Sequence, residues 1–267
     1  MSEKRKIRGI YLRKIIKEVD DVNQLYDKGY YDGDVYPEYT LESNRQLNER
    51  RITLVKRFWN KPSKILDVGC AKGFFLQSAK KAGFDPYGID ISSYAIDEAK
   101  KTFDGSVFCG NAEENIPFSD GFFEVITCWD VLEHFKNPFL VLKTLAKKLK
   151  KGGLIFIETC NYDSISRILM KGNWPFYGEG YHQTPEINSK IIENWLRTAS
   201  LAKVEIFTDC VNVPLNDQMT KVFHINSHKD SRPLYLVRLF EYAVEKSLAK
   251  VNPNLGDLLF CVAKNNA

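Results

Sequence analysis

An acidic residue near the end of a short apolar segment, followed by a turn of small residues, is the first pattern in this sequence that could do chemistry. Asp67 lies within the apolar run 65–68, and residues 69–73 read Gly-Cys-Ala-Lys-Gly before a helical pattern begins at Phe74. A strand that passes into a helix through such a turn leaves helix N–H groups free in the crevice at the carboxyl end of a sheet. Dinucleotides and adenosyl compounds both bind in such crevices, and this pattern alone does not choose between them.

A second acid follows about twenty residues later, the spacing expected of a carboxylate that binds a ribose hydroxyl pair. Residues 87–91 (Tyr-Gly-Ile-Asp-Ile) predict a strand that ends at Asp90. Beyond it come the segment Gly110–Glu114, a strand predicted over Phe123–Cys128, and residues 129–134, which read Trp-Asp-Val-Leu-Glu-His. The first and last of these three segments are not part of the pattern of nicotinamide-dependent oxidoreductases.

Taken in this order, the segments resemble the class I S-adenosylmethionine-dependent methyltransferases, closely over about residues 64–159 and more loosely elsewhere. The resemblance implies an α/β fold with a Rossmann-like, doubly wound, seven-stranded sheet that is mostly parallel, with the last strand antiparallel. We expect N-terminal helices before this sheet and a C-terminal helical insertion within it. Apolar strands that alternate with helices in this region also predict, by themselves, a parallel sheet covered on both faces.

The resemblance implies S-adenosylmethionine as the cofactor and S-adenosylhomocysteine as its product. Asp67 and the turn would hold the amino-acid end of the cofactor, Asp90 the ribose, and Asn111 the adenine edge. The complete set of residues predicted to bind the cofactor is Asp67, Gly69, Cys70, Ala71, Gly73, Asp90, Ile91, Asn111, Ala112 and Trp129.

Two residues of the turn depart from the pattern of the resembled family. Ala71 stands at its middle glycine, and Lys72 stands where a small polar residue is usual. Alanine tolerates a left-handed backbone poorly, so we expect Ala71 to fit only with a negative φ.

Two histidines are the predicted catalytic residues. Methyl transfer depends mostly on positioning, and a base is needed only if the acceptor must lose a proton. His134, just beyond the fourth strand, and His182 both titrate near neutrality, although helix capping or packing explains His134 equally well. His182 follows Trp174–Tyr177, an aromatic segment similar to those of methyltransferases of sugar and polysaccharide synthesis. The pair His224 and His228 lacks accompanying ligands, so no metal site is predicted.

The predicted function is transfer of a methyl group to oxygen or nitrogen of a small-molecule or sugar-type acceptor. RNA or protein methylation, a nicotinamide oxidoreductase and a non-catalytic adenosyl-binding module are the alternatives. No Asn/Asp-Pro-Pro-aromatic segment follows the fourth strand and no Pro-Cys pair occurs, which disfavours methylation of nucleic-acid bases. The basic segment 1–20 leaves RNA contact open, and a homodimer is one role for the long insertions.

The predicted organisation has an N-terminal helical and tyrosine-rich lid segment, 1–60, and a methyltransferase domain, 61–267, with insertions at about 160–187 and 211–254. The tyrosines of residues 25–39 favour either a segment that closes over a ligand or a surface wrap. Residues 1–20 form a basic amphipathic pattern, which we expect to pack on the domain rather than on a membrane.

Single, unpaired cysteines indicate a reducing environment. The six cysteines have no Cys-x-x-Cys spacing, so we expect small buried thiols rather than disulfides or zinc. The apolar runs are too short to span a bilayer and the N-terminus has no apolar signal segment, which predicts a cytoplasmic protein.

Overall fold

The computed structural model describes residues 26–32, 39–170, 186–209, 247 and 254–266. Its helices are α1 (Lys28–Asp32), α2 (Leu41–Phe58), α3 (Phe74–Lys81), α4 (Ser93–Thr102), α5 (Pro138–Lys148), α6 (Ile165–Met170) and α7 (Ser189–Thr198), with a 3₁₀ turn at Leu132–His134. Its strands are β1 (Lys64–Val68), β2 (Asp85–Asp90), β3 (Ser106–Cys109), β4 (Phe123–Trp129), β5 (Leu149–Cys160), β6 (Leu201–Asp209) and β7 (Leu258–Asn265).

All seven strands form one sheet in the order β3-β2-β1-β4-β5-β7-β6. The first five strands pair in parallel, whereas β7 runs antiparallel to both β5 and β6. The predicted Rossmann-like, doubly wound sheet with an antiparallel last strand is therefore confirmed. The strand order reverses between β1 and β4, and ligands of open α/β sheets bind in the crevice at such a point.

The predicted N-terminal helices are present in part, as α2, whereas α1 lies in the tyrosine-rich segment 25–39, where no helix was predicted. The helix expected over residues 1–20 lies outside the described residues, and so do most of the predicted insertions, including 171–185 and 210–246. The division of the chain at residue 60 stays a prediction.

Strand β1 is buried on both faces of the sheet. Leu66 and Val68 belong to the larger apolar cluster, and Ile65 belongs to the cluster formed with α2 and α3. Because side chains alternate along a strand, Asp67 points to the same face as Ile65. The sequence thus places a carboxylate inside an apolar layer, at the edge where the strand ends.

Short polar side chains cap the first turns of three helices. Ser92 Oγ accepts a hydrogen bond from the N–H of Ala95 at 3.1 Å, which caps α4. Asn137 caps α5 through the N–H of Leu140 at 3.1 Å, and Asn188 caps α7 in the same way. Such caps satisfy N–H groups that the helix leaves free, and they fix where each helix starts.

Strand β5 begins before its apolar run. The apolar run starts at Leu154, after Gly152 and Gly153, but β5 already begins at Leu149. Phe123 pairs with Leu149, and two residues later β4 pairs with Leu154, so the two glycines lie in an irregularity of the sheet. A Cβ on Gly153 would lie 2.8 Å from the carbonyl oxygen of Glu124, which explains the glycine there.

Most of the described cysteines are buried, as predicted. Cys70, Cys128, Cys160 and Cys261 are buried free thiols, but Cys109 is exposed because it ends the edge strand β3. Within the described ranges, no helix is both long and apolar enough to cross a membrane.

Candidate active site

The turn between β1 and α3 is held against the end of β2. Gly69 and Gly73 have φ values of 78° and 75°, which only glycine adopts at little cost. The N–H of Gly69 donates to the carbonyl oxygen of Ile89 at 2.8 Å. A Cβ on Gly69 would lie 2.5 Å from Val131 Cγ2, so a side chain at this position would clash with the segment after β4.

Ala71 has a φ of 46°, and the expectation of a negative φ was wrong. Its N–H donates to Asp90 Oδ2 at 2.8 Å, inside the protein. A left-handed backbone conformation costs about 1–2 kcal/mol at an alanine. A hydrogen bond from an amide to a buried carboxylate stabilises the turn by enough to offset this cost.

We expect Ala71→Gly to change the free energy of unfolding by less than about 1 kcal/mol. Glycine relieves the left-handed strain, while loss of a buried methyl group and a more flexible unfolded chain act in the opposite direction. The matched control is Ala79→Gly, in α3, which loses a buried methyl group and helix propensity together and should cost about 2 kcal/mol. Urea unfolding of both variants measures this, and equal losses would contradict the strain at Ala71.

Asp90 ends β2 and holds the surrounding backbone. Its Oδ2 accepts from Ala71 and its Oδ1 accepts from the N–H of Ser92, both at 2.8 Å. Burial raises the pKa of this carboxyl, and the two N–H donors act against that rise. Each oxygen retains a second acceptor position, so the group can still accept from a ribose hydroxyl.

Asp67 is 3% exposed and lies beside β4. Thr127 Oγ1 donates to Asp67 Oδ1 at 2.7 Å. Burial raises the pKa of Asp67 to about 7, although the Thr127 hydrogen bond lowers it. The nearby ammonium of a bound amino acid would favour the ionised form.

The residues predicted at the adenine are next to Asp90 in space. The N–H of Gly110 donates to the carbonyl oxygen of Asp90 at 2.8 Å. Asn111 Oδ1 accepts from the N–H of Glu113 at 3.0 Å, and its Nδ2 donates to Glu114 at 3.1 Å. The amide of Asn111 therefore shapes its own turn. Ala112 is buried in the larger apolar cluster, and Ile91 follows directly after Asp90 in the chain.

Trp129 ends β4 beside the first turn of α3. Its ring packs edge-on against Phe75, with 5.5 Å between ring centroids, and the guanidinium of Arg51 lies 5.3 Å from it. The buried Nε1 has no hydrogen-bond partner among the described residues. An unsatisfied buried donor costs about 1–3 kcal/mol, so this N–H suits an acceptor on a ligand.

Arg51 of α2 joins the carboxyl ends of β4 and β5. Its Nε donates to Glu158 Oε2 at 2.8 Å, and its Nη2 bonds Asp130. Glu158 is 2% exposed, and Asp130 has a φ of 50°. Desolvation and the nearby Glu158 raise the pKa of Asp130, although its side chain is 47% exposed to solvent.

Glu133 is a third carboxyl of this region. Thr159 Oγ1 donates to its Oε2 at 2.8 Å. Burial, with a contribution from Asp130, raises the pKa of Glu133 to about 8. Burial therefore favours the neutral form of Glu133.

His134 is in contact with Tyr26 of the N-terminal segment. The hydroxyl of Tyr26 lies 3.1 Å from His134 Nδ1. This contact gives His134 a fixed orientation after β4, which agrees with either a base or a packed residue. His182, the second predicted catalytic residue, lies outside the described residues.

The turn and its surroundings match a known family. A family model described as a methyltransferase domain matches residues 43–206, more than half of the chain. This span includes every residue predicted to bind the cofactor. The chain belongs to this family of methyltransferase domains.

Curated and solved relatives agree with the family. The chain is 31% identical over 133 residues to the ubiquinone biosynthesis O-methyltransferase of Hydrogenovibrio crunogenus, covering 46% of this chain and 54% of that protein. It thus spans about half the length of this relative. A SAM-dependent methyltransferase from Archaeoglobus fulgidus is similar with a TM-score of 0.58 and 21% identity, over 91% of this chain and 100% of that one. Phosphoethanolamine N-methyltransferase 2 of Haemonchus contortus is similar with a TM-score of 0.62 and 16% identity, over 94% of this chain and 61% of that one. Similarity at these identities shows the fold.

Sequence reasoning about this methyltransferase domain missed the network around Arg51. One signal was available, because Glu158 is a charged residue within the apolar run of β5. Nothing in the helical pattern of α2 distinguished Arg51 from its neighbours. Within the described residues, no group of three or more His, Cys, Asp or Glu side chains could hold a metal ion.

Proposed function

We propose that this methyltransferase domain binds S-adenosylmethionine and transfers its methyl group to an oxygen atom of a small-molecule acceptor. The observation that carries the proposal is the turn 69–73 bonded to the carboxylate of Asp90 at the switch point of the sheet. The choice of oxygen is supported by the relatives named ubiquinone biosynthesis O-methyltransferase. Methylation of nitrogen or of a sugar, a cytoplasmic location and a homodimer are further proposals.

The groups around the turn fit each part of this cofactor. Gly73 precedes helix α3 and provides no side-chain cap, so the first N–H groups of the helix can bind a carboxylate. The unpartnered N–H of Trp129 lies beside this helix turn and can donate to the same group. Asp67 can accept from an ammonium, and Asp90 has free acceptor positions for a ribose.

When bound, the cofactor supplies a methyl group that its sulfonium already activates. The protein's own contribution is to hold the acceptor oxygen in line with that methyl group and to exclude water. The segment Asp130–His134 follows β4, and its Val131 lies next to Gly69 of the turn. The acceptor would therefore be positioned against this segment.

His134 can take the proton of an acceptor hydroxyl in one of its two tautomers. If Nδ1–H donates to the oxygen of Tyr26, then Nε2 is unprotonated and can act as the base. If Tyr26 donates to Nδ1 instead, Nε2 carries a hydrogen and cannot accept. The direction of the hydrogen bond with Tyr26 is thus linked to the tautomer in which His134 could act as a base.

Calorimetry with S-adenosylmethionine and S-adenosylhomocysteine tests the proposal. We expect both to bind the wild type and to bind Asp90→Asn at least tenfold more weakly, since a hydrogen bond to a charged group contributes about 1.5–3 kcal/mol. The control Asp85→Asn, at the exposed start of the same strand, should bind like the wild type. A folded wild type that binds neither compound would overturn the proposal.

An acceptor screen identifies the substrate once binding is established. Phenols, quinone precursors, sugars and amines are incubated with the cofactor, and mass spectrometry detects a gain of one methyl group. O-methylation of a hydroxylated ring is the expected result, and methylation of amines alone would contradict the choice of oxygen.

A further inference from the structure

A tyrosine and an arginine stack on each other beyond the carboxyl end of β5. Tyr162 lies two residues after β5, and Arg167 lies in the first turn of α6. The Cζ atom of Arg167 is 3.8 Å from the centroid of the Tyr162 ring, and its Nε donates to the carbonyl oxygen of the same tyrosine. These two contacts fix the plane of the guanidinium. We call the pair the Tyr162–Arg167 stack.

The outer edge of this guanidinium has no partner in the described part of the chain. Neither Nη group of Arg167 makes a hydrogen bond or an ion pair there. The acids beside the stack bond other groups, since Glu186 accepts from the Tyr162 hydroxyl at 2.6 Å and Asp257 accepts from Ser166. Arg167 is half-buried, so water solvates its charge only in part. The Nη groups hold their N–H donors in one plane, which matches the oxygens of a carboxylate or a phosphate.

The backbone under the stack is held from two directions. The N–H of Tyr162 donates to the carbonyl oxygen of Ile187, before α7, at 2.8 Å. Asn161 is 1% exposed, and its Nδ2 donates to the carbonyl oxygens of Asn254 and Gly256, before β7, both at 2.7 Å. A guanidinium on a support of this kind is already oriented before a ligand arrives, so little conformational entropy is lost on binding.

The stack lies on the side of the sheet that the cofactor leaves open. The cofactor is assigned to the ends of β1, β2 and β4, and β5 is the next strand of the sheet. Thr159, near the end of β5, donates to Glu133 at 2.8 Å, and Glu133 directly precedes His134, the residue assigned to the acceptor's proton. Tyr162 is three residues beyond Thr159, a distance of at most about 11 Å along an extended chain. The stack therefore borders the place of the acceptor.

We propose that Arg167 binds a negatively charged group of the acceptor, a carboxylate or a phosphate, and so makes the protein favour anionic over neutral acceptors. Hydrogen bonds between an oriented guanidinium and an anion correspond to roughly a ten- to hundredfold gain in affinity. Arg167 supplies nothing to the methyl transfer itself and is a specificity-determining residue. This inference rests on the proposed function and narrows the class of acceptor.

Dissociation constants of three probes test the inference. Calorimetry on the protein saturated with S-adenosylhomocysteine compares protocatechuate (a dihydroxylated benzoate), its methyl ester and phenyl phosphate. We expect the wild type to bind at least one of the two anions about tenfold or more tightly than the neutral ester. The tighter anion tells whether the site prefers a carboxylate or a phosphate. In Arg167→Met the preference for the anion should fall below about twofold, while the ester and S-adenosylhomocysteine bind as in the wild type.

Two further variants complete the experiment. Arg197→Met removes an exposed arginine of α7 that bonds Asn194, and this control should bind every probe like the wild type. If Arg167→Met does not fold, Arg167→Gln is measured in the same way and decides.

The inference is overturned if the wild type binds neither anion more tightly than the ester. It is also overturned if the Arg167 variant keeps the preference, or weakens anions and ester alike. These results refute only the role of Arg167, whereas a folded wild type that binds neither S-adenosylmethionine nor S-adenosylhomocysteine refutes the proposed function.

Discussion

Replacing Arg51 by methionine is expected to lower the free energy of unfolding by about 3–5 kcal/mol, because it leaves a buried carboxylate without its cation. Glu158 is 2% exposed and accepts from Arg51 Nε at 2.8 Å. Asp130 loses the same partner. Methionine keeps most of the volume of the arginine stem, so the loss reports the charge rather than a cavity.

The neighbouring arginine provides a matched control. Arg50 pairs with Asp209, and their side chains are 49% and 44% exposed. Solvent screens such a pair, so Arg50→Met should cost less than about 1 kcal/mol. Urea unfolding followed by circular dichroism gives both values.

A second variant separates the ion pair from general packing. Adding Glu158→Gln to Arg51→Met removes the unpaired buried charge, and we expect it to recover part of the lost stability. If Arg51→Met costs no more than Arg50→Met, the network does not hold α2 to the sheet. If the double variant is no better than the single one, the loss has a source other than the isolated carboxylate.

The network also bears on the site, since it holds the segment after β4. Asp130 has a left-handed backbone and bonds Arg51, while Glu133 bonds Thr159 of β5. These bonds fix both ends of the segment that carries His134. A loosened network would therefore disturb the position of the acceptor before it disturbs the turn that holds the donor.

The strands and helix starts could be predicted from the sequence because their signals are local. An apolar run marks β1, and a side chain caps a helix three residues away, as Ser92 does for Ala95. The order of the segments added the family and hence the sheet. The seven strands and the acids near the ends of β1 and β2 follow from local signals, whereas the antiparallel direction of the last strand was implied by the resemblance to the family.

Features that depend on distant partners were missed. The φ of Ala71 is set by a bond to Asp90, 19 residues away, and Arg51 binds residues 79 and 107 positions along the chain. The sequence shows only that the N-terminal segment is rich in tyrosine. The fold shows that the rings of Tyr31 and Tyr39 pack against each other near the turn. The local sequence pattern carries no information about contacts between residues that are far apart in the chain.

Stability is expected to fall as the pH rises from 5 to 8, and Asp67 is a main cause. Its pKa is about 7 in the folded protein, because of burial, and about 3.9 in an unfolded chain. Since the folded pKa is the higher one, the folded state binds more protons between these values. The contribution of Asp67 to the free energy of unfolding is fully present below its pKa in the unfolded chain. It is lost as the pH rises through its pKa in the folded protein.

We expect Asp67→Asn to remove this part of the pH dependence. From pH 5 to pH 8 the wild type should lose about 2–3 kcal/mol of unfolding free energy that the variant keeps. Asparagine has nearly the same shape, and its oxygen can still accept from Thr127. Urea unfolding of both proteins at the two pH values measures the difference.

Other carboxyl groups determine how the stability of Asp67→Asn still depends on pH. Glu133 and Asp130 also have raised pKa values, about 8 and about 6, so the variant should still lose stability in the same direction, but less steeply. The pKa values of Asp32 and Glu124 are lowered, and their contributions are lost only at pH values below this window. Parallel curves for wild type and Asp67→Asn would mean that Asp67 is ionised in the folded protein, with its charge compensated by a group other than Thr127.

A bound cofactor should shift the wild-type curve towards the variant's, because an ammonium beside Asp67 favours the ionised carboxylate and lowers its pKa.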